Sequence, residues 1–188
     1  MQIVGDSAGA NLILQLLSHI LHPVPEVPPF ALPCPLRGVY LMSPWVSLSS
    51  LGSSGIANDQ SDCISRVGLL YWGSFVLDGI PESMRHYLEA GKTPDNWFEG
   101  IAGLTDRLLV TAGDAECLRD DIVVTAKKLE SAWAQSLEGS SKSRLAEMKF
   151  ILQEHGVHDD PHFDFLLKEP KLSSLSWEIV DWVAKGFD

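Results

Sequence analysis

Three places in this sequence hold residue types that could act as a nucleophile, an acid and a base. Near the start, Gly5-Asp6-Ser7-Ala8-Gly9 follows the apolar run Gln2-Ile3-Val4 and precedes a dense apolar segment, Leu12 to Leu21. A serine at such a strand-to-helix junction is expected in a strained turn with positive φ, its hydroxyl above the sheet edge at the positive end of a helix. Glycines flank it because a Cβ at either place would collide with neighbouring backbone. The Ala8 N–H would point where an oxyanion forms. The bare pattern also fits a glycine-rich turn with Ser7 as an ordinary helix cap. The second place is the pair Asp114 and Glu116, the third the run His155-Gly156-Val157-His158-Asp159-Asp160-Pro161-His162. A serine hydroxyl attacks only when a base takes its proton, and the base needs an acceptor to fix its tautomer. Residue types alone leave Glu116 or Asp114 as the acid and His158 or His155 as the base. The donor-rich histidine run could also suggest a metal, but it lacks the tight spacing of zinc sites, so no metal is assigned.

These groups can meet only if their loops leave one rim of a sheet. Gly38 to Ser43 and Leu108 to Gly113 are continuous apolar runs of strand length, as expected of strands buried on both faces, and Met148 to Leu152 is a further strand. Between them lie a helix from Ser7 to Leu21, a helix opened by Asp120 and Asp121 and carrying Ile122, Val123, Ala126 and Leu129 inward, and a last amphipathic helix from about Leu172 to Lys185. The first helix reads as apolar nearly all round, with only Asn11, Gln15, Ser18 and His19 as a polar stripe. His19 and His22 read as surface or helix-end residues. The alternation predicts an α/β domain with a mostly parallel sheet flanked by helices, with candidate groups at the carboxyl ends of the strands. The prolines from Pro23 to Pro35 predict an extended loop, and Gln135 to Ala146 a surface loop. Residues 46–103 read as a helical insertion, rich in aromatics near Tyr71 to Phe75, that covers a cleft or packs on the core.

Composition narrows the partners. The chain has 188 residues, 45% of them apolar, and a net charge of −11. Such a balance argues against a nucleic-acid surface, which needs clustered Lys and Arg. Leu12 to Leu21 is too short for a membrane span. Three cysteines without metal spacing, Cys34, Cys63 and Cys117, suggest free thiols and a cytoplasmic setting.

Gly5-Asp6-Ser7-Ala8-Gly9, the acid loop Thr111 to Asp120 and Val157-His158-Asp159 together resemble the hormone-sensitive-lipase-like branch of the α/β-hydrolase fold, with fungal-type esterases most similar. The chain order of serine, acid and histidine is also that of α/β-hydrolases. The resemblance implies a carboxylic-ester hydrolase that needs no cofactor and acts on a small-molecule ester. It implies Ser7 as nucleophile, His158 as general base and Glu116 as acid, although Glu and Cys117 stand where Asp and Pro are usual. It covers only the C-terminal part of a typical member, so the chain reads as a single partial domain, 1–188, lacking the His-Gly-Gly loop that supplies further oxyanion donors. Such a chain is expected to be inactive or poorly folded alone, with self-association through the exposed edge near Met1 to Val4. The gibberellin receptors resemble the same branch without acting as esterases, which makes a non-catalytic ligand-binding protein the alternative.

Overall fold

The computed structural model describes residues 1–137, 147–168 and 170–187. Four strands, β1 (Gln2–Asp6), β2 (Gly38–Met42), β3 (Arg107–Gly113) and β4 (Glu147–Gln153), form one parallel sheet in that order. The register aligns their carboxyl ends, with Asp6 beside Met42, Met42 beside Thr111, and Thr111 beside Ile151. The segments leaving the four strands therefore start from one rim.

Side-chain alternation along the two central strands divides the core. Val39 and Leu41 of β2 and Leu108, Val110 and Ala112 of β3 face one layer. That layer holds Ala10, Leu14 and Leu17 of α1 (Ser7–Leu21) and Ile122 and Leu129 of α5 (Arg119–Leu137). Tyr40, Met42 and Leu109 face the other side and meet Trp182 of α7 (Ser174–Ala184). Ser173 caps α7, accepting from the Ser176 amide at 3.1 Å.

The helix α1 departs from the expected pattern. Leu12 and Leu16 are exposed, whereas the polar Asn11 and Ser18 are buried. Asn11 turns inward because its amide donates to the carbonyls of Trp45, at 2.6 Å, and Leu88, at 2.8 Å. Ser18 accepts from the Trp97 indole N–H at 3.0 Å. Both bond polar groups of Trp45 and of the insertion, so part of the polar stripe forms a seam between α1 and the segment from Trp45 onward.

That insertion holds the short helices α2 (Ser54–Ala57) and α4 (Arg85–Leu88) and the longer α3 (Arg66–Leu77). Leu69, Gly73 and Leu77 are the buried positions of α3, and a Cβ on Gly73 would lie 2.2 Å from the Leu48 carbonyl oxygen. Val67, Tyr71, Trp72, Phe75 and Val76 are exposed. Buried Glu89 fixes the turn after Val46 by accepting from the Leu48 and Ser49 amides.

Two expected loops contain helix. Gln135 to Leu137 continue α5, and the rest of the loop expected to Ala146 lies outside the described residues. The histidine run ends in α6 (Pro161–Leu166), which Pro161 opens because its fixed φ suits the first turn and its missing N–H is not needed there. No described helix is long and apolar enough to cross a membrane.

Candidate active site

Ser7 joins β1 to α1 at φ +47°, a left-handed conformation that non-glycine residues rarely hold. The turn is closed enough that a Cβ on Gly5 would lie 2.7 Å from the Gly9 carbonyl carbon and 2.8 Å from the Ala10 nitrogen. Gly9 differs from the expectation: a Cβ there would meet only the Asp6 carboxylate, at an ordinary 3.7 Å. The close approach is one-sided, since only the Gly5 position faces the backbone of the helix start. Ala8 is in the first turn of α1, where an amide has no carbonyl one helical turn behind it to bond.

The Ser7 hydroxyl is 2.8 Å from His158 Nε2, and His158 Nδ1 is 3.3 Å from Glu116 Oε2. These residues stand 151 and 42 positions apart in the chain. Glu116 lies in the loop after β3 and His158 in the loop after β4. The two loops cross tightly: a Cβ on Gly113 would sit 2.1 Å from the Gly156 carbonyl oxygen, and the Ala115 amide donates to that oxygen at 2.9 Å. Ser43 follows β2 at φ +41°. Its hydroxyl accepts from the Asp159 amide at 3.1 Å, while the Trp45 amide donates to the Ser7 carbonyl.

The other sequence candidates stand elsewhere. Asp114 is committed to structure, accepting from the His155 amide at 2.6 Å. The His155 side chain is 90% exposed and faces Glu154. His162 is 3.9 Å from the Asp6 carboxylate at the rim. Among the described residues, no group of three or more His, Cys, Asp and Glu side chains is arranged to hold a metal ion.

Two carboxylates that residue types did not single out also belong to the site. Asp159 Oδ2 lies 3.3 Å from His158 Nε2, the nitrogen that faces Ser7. Asp62, in the insertion, accepts from the amide of His158 at 2.9 Å and from that of Cys117 at 2.7 Å. Asp159 stands in the Val157-His158-Asp159 motif without a role of its own there, and nothing in the sequence near Asp62 marks it.

Charge and burial act against each other here. Burial alone would lower the His158 pKa, but the Glu116 hydrogen bond and the charges of Asp159, Glu116 and Asp62 outweigh it and hold the value above that of an ordinary imidazole. Burial raises the Glu116 carboxyl, with the His158 ring pulling it back. Asp159 is pushed up to about 6, first by burial and then by Asp6 and Asp62, against the downward pull of His158 and His162.

A family model described as the alpha/beta hydrolase fold matches residues 1–139. The chain belongs to the α/β-hydrolase family. Several solved α/β-hydrolases share this architecture. A hormone-sensitive lipase from a metagenome library superposes with a TM-score of 0.69 at 19% identity, over 98% of this chain and 54% of that one. An esterase from the bacterial hormone-sensitive lipase family gives 0.62 at 21% identity, over 89% of this chain and 48% of that one. The esterase LipW from Mycobacterium marinum gives 0.60 at 20% identity, over 89% and 43%. The chain thus spans about half the length of the solved α/β-hydrolases it matches. No curated protein matches it at a significant level.

Proposed function

We propose that the chain carries the reacting groups of a serine carboxylic-ester hydrolase of the hormone-sensitive-lipase-like branch, fungal-type in its motifs. The observation that carries this reading is the continuous contact from Ser7 Oγ through the His158 ring to Glu116. In the proposed reaction Ser7 Oγ attacks the acyl carbon of the ester while His158 Nε2 takes the hydroxyl proton. The Ala8 N–H, at the positive end of α1, stabilises the oxyanion. Collapse of the tetrahedral intermediate breaks the ester C–O bond, and the alcohol leaves with the proton from His158. Water then attacks the acyl-enzyme, giving its proton to His158, and Ser7 is restored as the acid departs. Glu116 holds Nδ1–H of the ring and balances its transient positive charge. Asp114 and His155 are not used, since one is bonded to backbone and the other faces solvent.

The substrate in this reading is a small or lipophilic ester, and no cofactor takes part. Residues 46–103 act as a cap-like insertion over the site within one partial domain, and the three cysteines suit the cytoplasm. β1 has no neighbour on its outer side among the described residues, and Met1 and Val4 are exposed there, which supports self-association through that edge. The sequence contains no His-Gly-Gly segment, so one oxyanion donor of those the resemblance implies is present. Loss of such a donor costs on the order of a hundred- to a thousandfold in rate. The chain alone is therefore expected to turn over esters poorly. A second reading is a non-catalytic ligand-binding protein on the same fold.

Labelling with a fluorophosphonate separates the two, because it requires an activated serine but no turnover. An adduct at Ser7 supports the hydrolase, and an unmodified Ser7 supports the binder. Steady p-nitrophenyl acetate turnover that Ser7→Ala abolishes would overturn the expectation of poor activity.

A further inference from the structure

The loops that bear Glu116 and His158 meet a third segment, and that segment comes from the insertion. One carboxylate there gathers three amides: Asp62 Oδ1 accepts from His158 at 2.9 Å and Cys63 at 2.8 Å, and Oδ2 accepts from Cys117 at 2.7 Å. Cys117 directly follows Glu116. A single side chain thus holds the backbone next to the acid and the backbone of the base, one on each oxygen.

Neighbouring contacts reinforce the hold. Asn58 donates to the carbonyls of Asp114, at 3.1 Å, and Glu116, at 2.9 Å. Ser54 donates to the Cys117 carbonyl at 2.8 Å. The Cys63 thiol, pushed up to about 11 by burial and the Asp62 charge, stays protonated and donates to the His158 carbonyl at 3.3 Å. The 3.3 Å separation of His158 from Glu116 is long for a charge-assisted bond, so small movements of either loop decide whether it forms.

We propose that Asp62 is a positioning residue that sets the spacing between Glu116 and His158, so that the insertion assembles the reacting pair as well as lying beside it. The proposal rests on the reading of His158 as the base. Its mechanism is geometric, since the carboxylate ties the Glu116 and His158 ends of two loops that are otherwise joined nearer the strands, by the approach of Gly113 to Gly156 and by the Ala115–Gly156 and Asp114–His155 bonds. It is also electrostatic. The charged and titratable groups facing the ring are Glu116 from the β3 loop, Asp159 from its own loop and Asp62 from the insertion, with Asp6 and His162 facing Asp159 across the rim.

Asp62→Asn is the informative change, because it keeps the size and one acceptor while removing the charge and turning an amide donor toward one of the backbone N–H groups. The expected result is a His158 imidazole titration, followed by 15N NMR, that moves to lower pH. Fluorophosphonate labelling of Ser7 is expected to slow by about ten- to a hundredfold. An unchanged imidazole titration and labelling rate in a folded Asp62→Asn chain would overturn the proposal. A wild type that does not label counts against the hydrolase reading, whereas the imidazole titration still decides the role of Asp62. Should the variant not fold, the unaltered chain gives the answer: the amide protons of Cys63, Cys117 and His158 must follow one common carboxylate titration. Independent titration of the three would overturn the proposal.

Discussion

Asp159 Oδ2 and the Ser7 hydroxyl share one nitrogen: Nε2 of His158 lies 3.3 Å from the first and 2.8 Å from the second. An ionised Asp159 stabilises the protonated ring and so opposes the neutral form a base must have. Asp159→Asn is therefore expected to move the acid limb of Ser7 labelling to lower pH and to raise the rate in mildly acidic buffer. Asparagine tolerates the φ of +55° that this position holds. A pH profile of phosphonylation checks it.

The same residue makes a stability prediction. Its folded value of about 6 stands above the ordinary 3.8. A group raised in this way contributes stability that is fully present below the ordinary value and is lost as pH rises through the folded one. Asp159→Asn should therefore stabilise the chain above pH 6, by on the order of 1–3 kcal/mol given the size of the shift. Urea unfolding at pH 5 and pH 8 measures this, the variant already gaining on the wild type at pH 5, which lies between the two values, and gaining more at pH 8.

Glu116 tests the opposite side of the ring. Glu116→Gln removes the charge facing Nδ1 and permits the wrong tautomer, so labelling of Ser7 should fall by about three to four orders of magnitude. The His158 titration should move downward, since the Glu116 bond and charge are among the forces that hold it up. Labelling kinetics and imidazole shifts read the two effects separately. Asp114→Asn, by contrast, should weaken the His155 turn and leave the titration of His158 in place.

The two glycines around Ser7 should part company on substitution. Gly5→Ala forces a Cβ within 3 Å of three backbone atoms of the helix start, so the turn must open and the chain should lose several kcal/mol. Gly9→Ala meets a single flexible carboxylate at 3.7 Å within a helix, and should be neutral or stabilise by about 0.5–1 kcal/mol. Thermal unfolding of both variants gives the comparison.

The contrast between the glycines also shows where the sequence was informative. Strand runs such as Gly38 to Ser43 are legible because burial on both faces leaves them continuously apolar, and the parallel sheet follows from their alternation with helices. Ser7, Glu116 and His158 are proposed through the motifs that carry the family resemblance, since residue types alone leave Glu116 or Asp114 as the acid and His158 or His155 as the base. The inward turn of Asn11 and Ser18 was not legible, since their partners Trp45, Leu88 and Trp97 lie far along the chain. Asp62 was hidden for the same reason: what distinguishes it is three backbone N–H groups brought together by folding, and no side-chain pattern records them. Helix α3 is the reverse case. Its apolar density marked a helix, but the choice between inward and outward faces depended on how closely Gly73 approaches Leu48.

The central claim is that Ser7 is made nucleophilic by His158. Mass spectrometry of the 188-residue chain after fluorophosphonate treatment tests this most directly, with Ser7→Ala and His158→Gln treated in parallel. The account predicts one adduct, located on Ser7, absent from the first variant and formed far more slowly in the second. No adduct on Ser7, or one formed equally fast without the His158 imidazole, would contradict it.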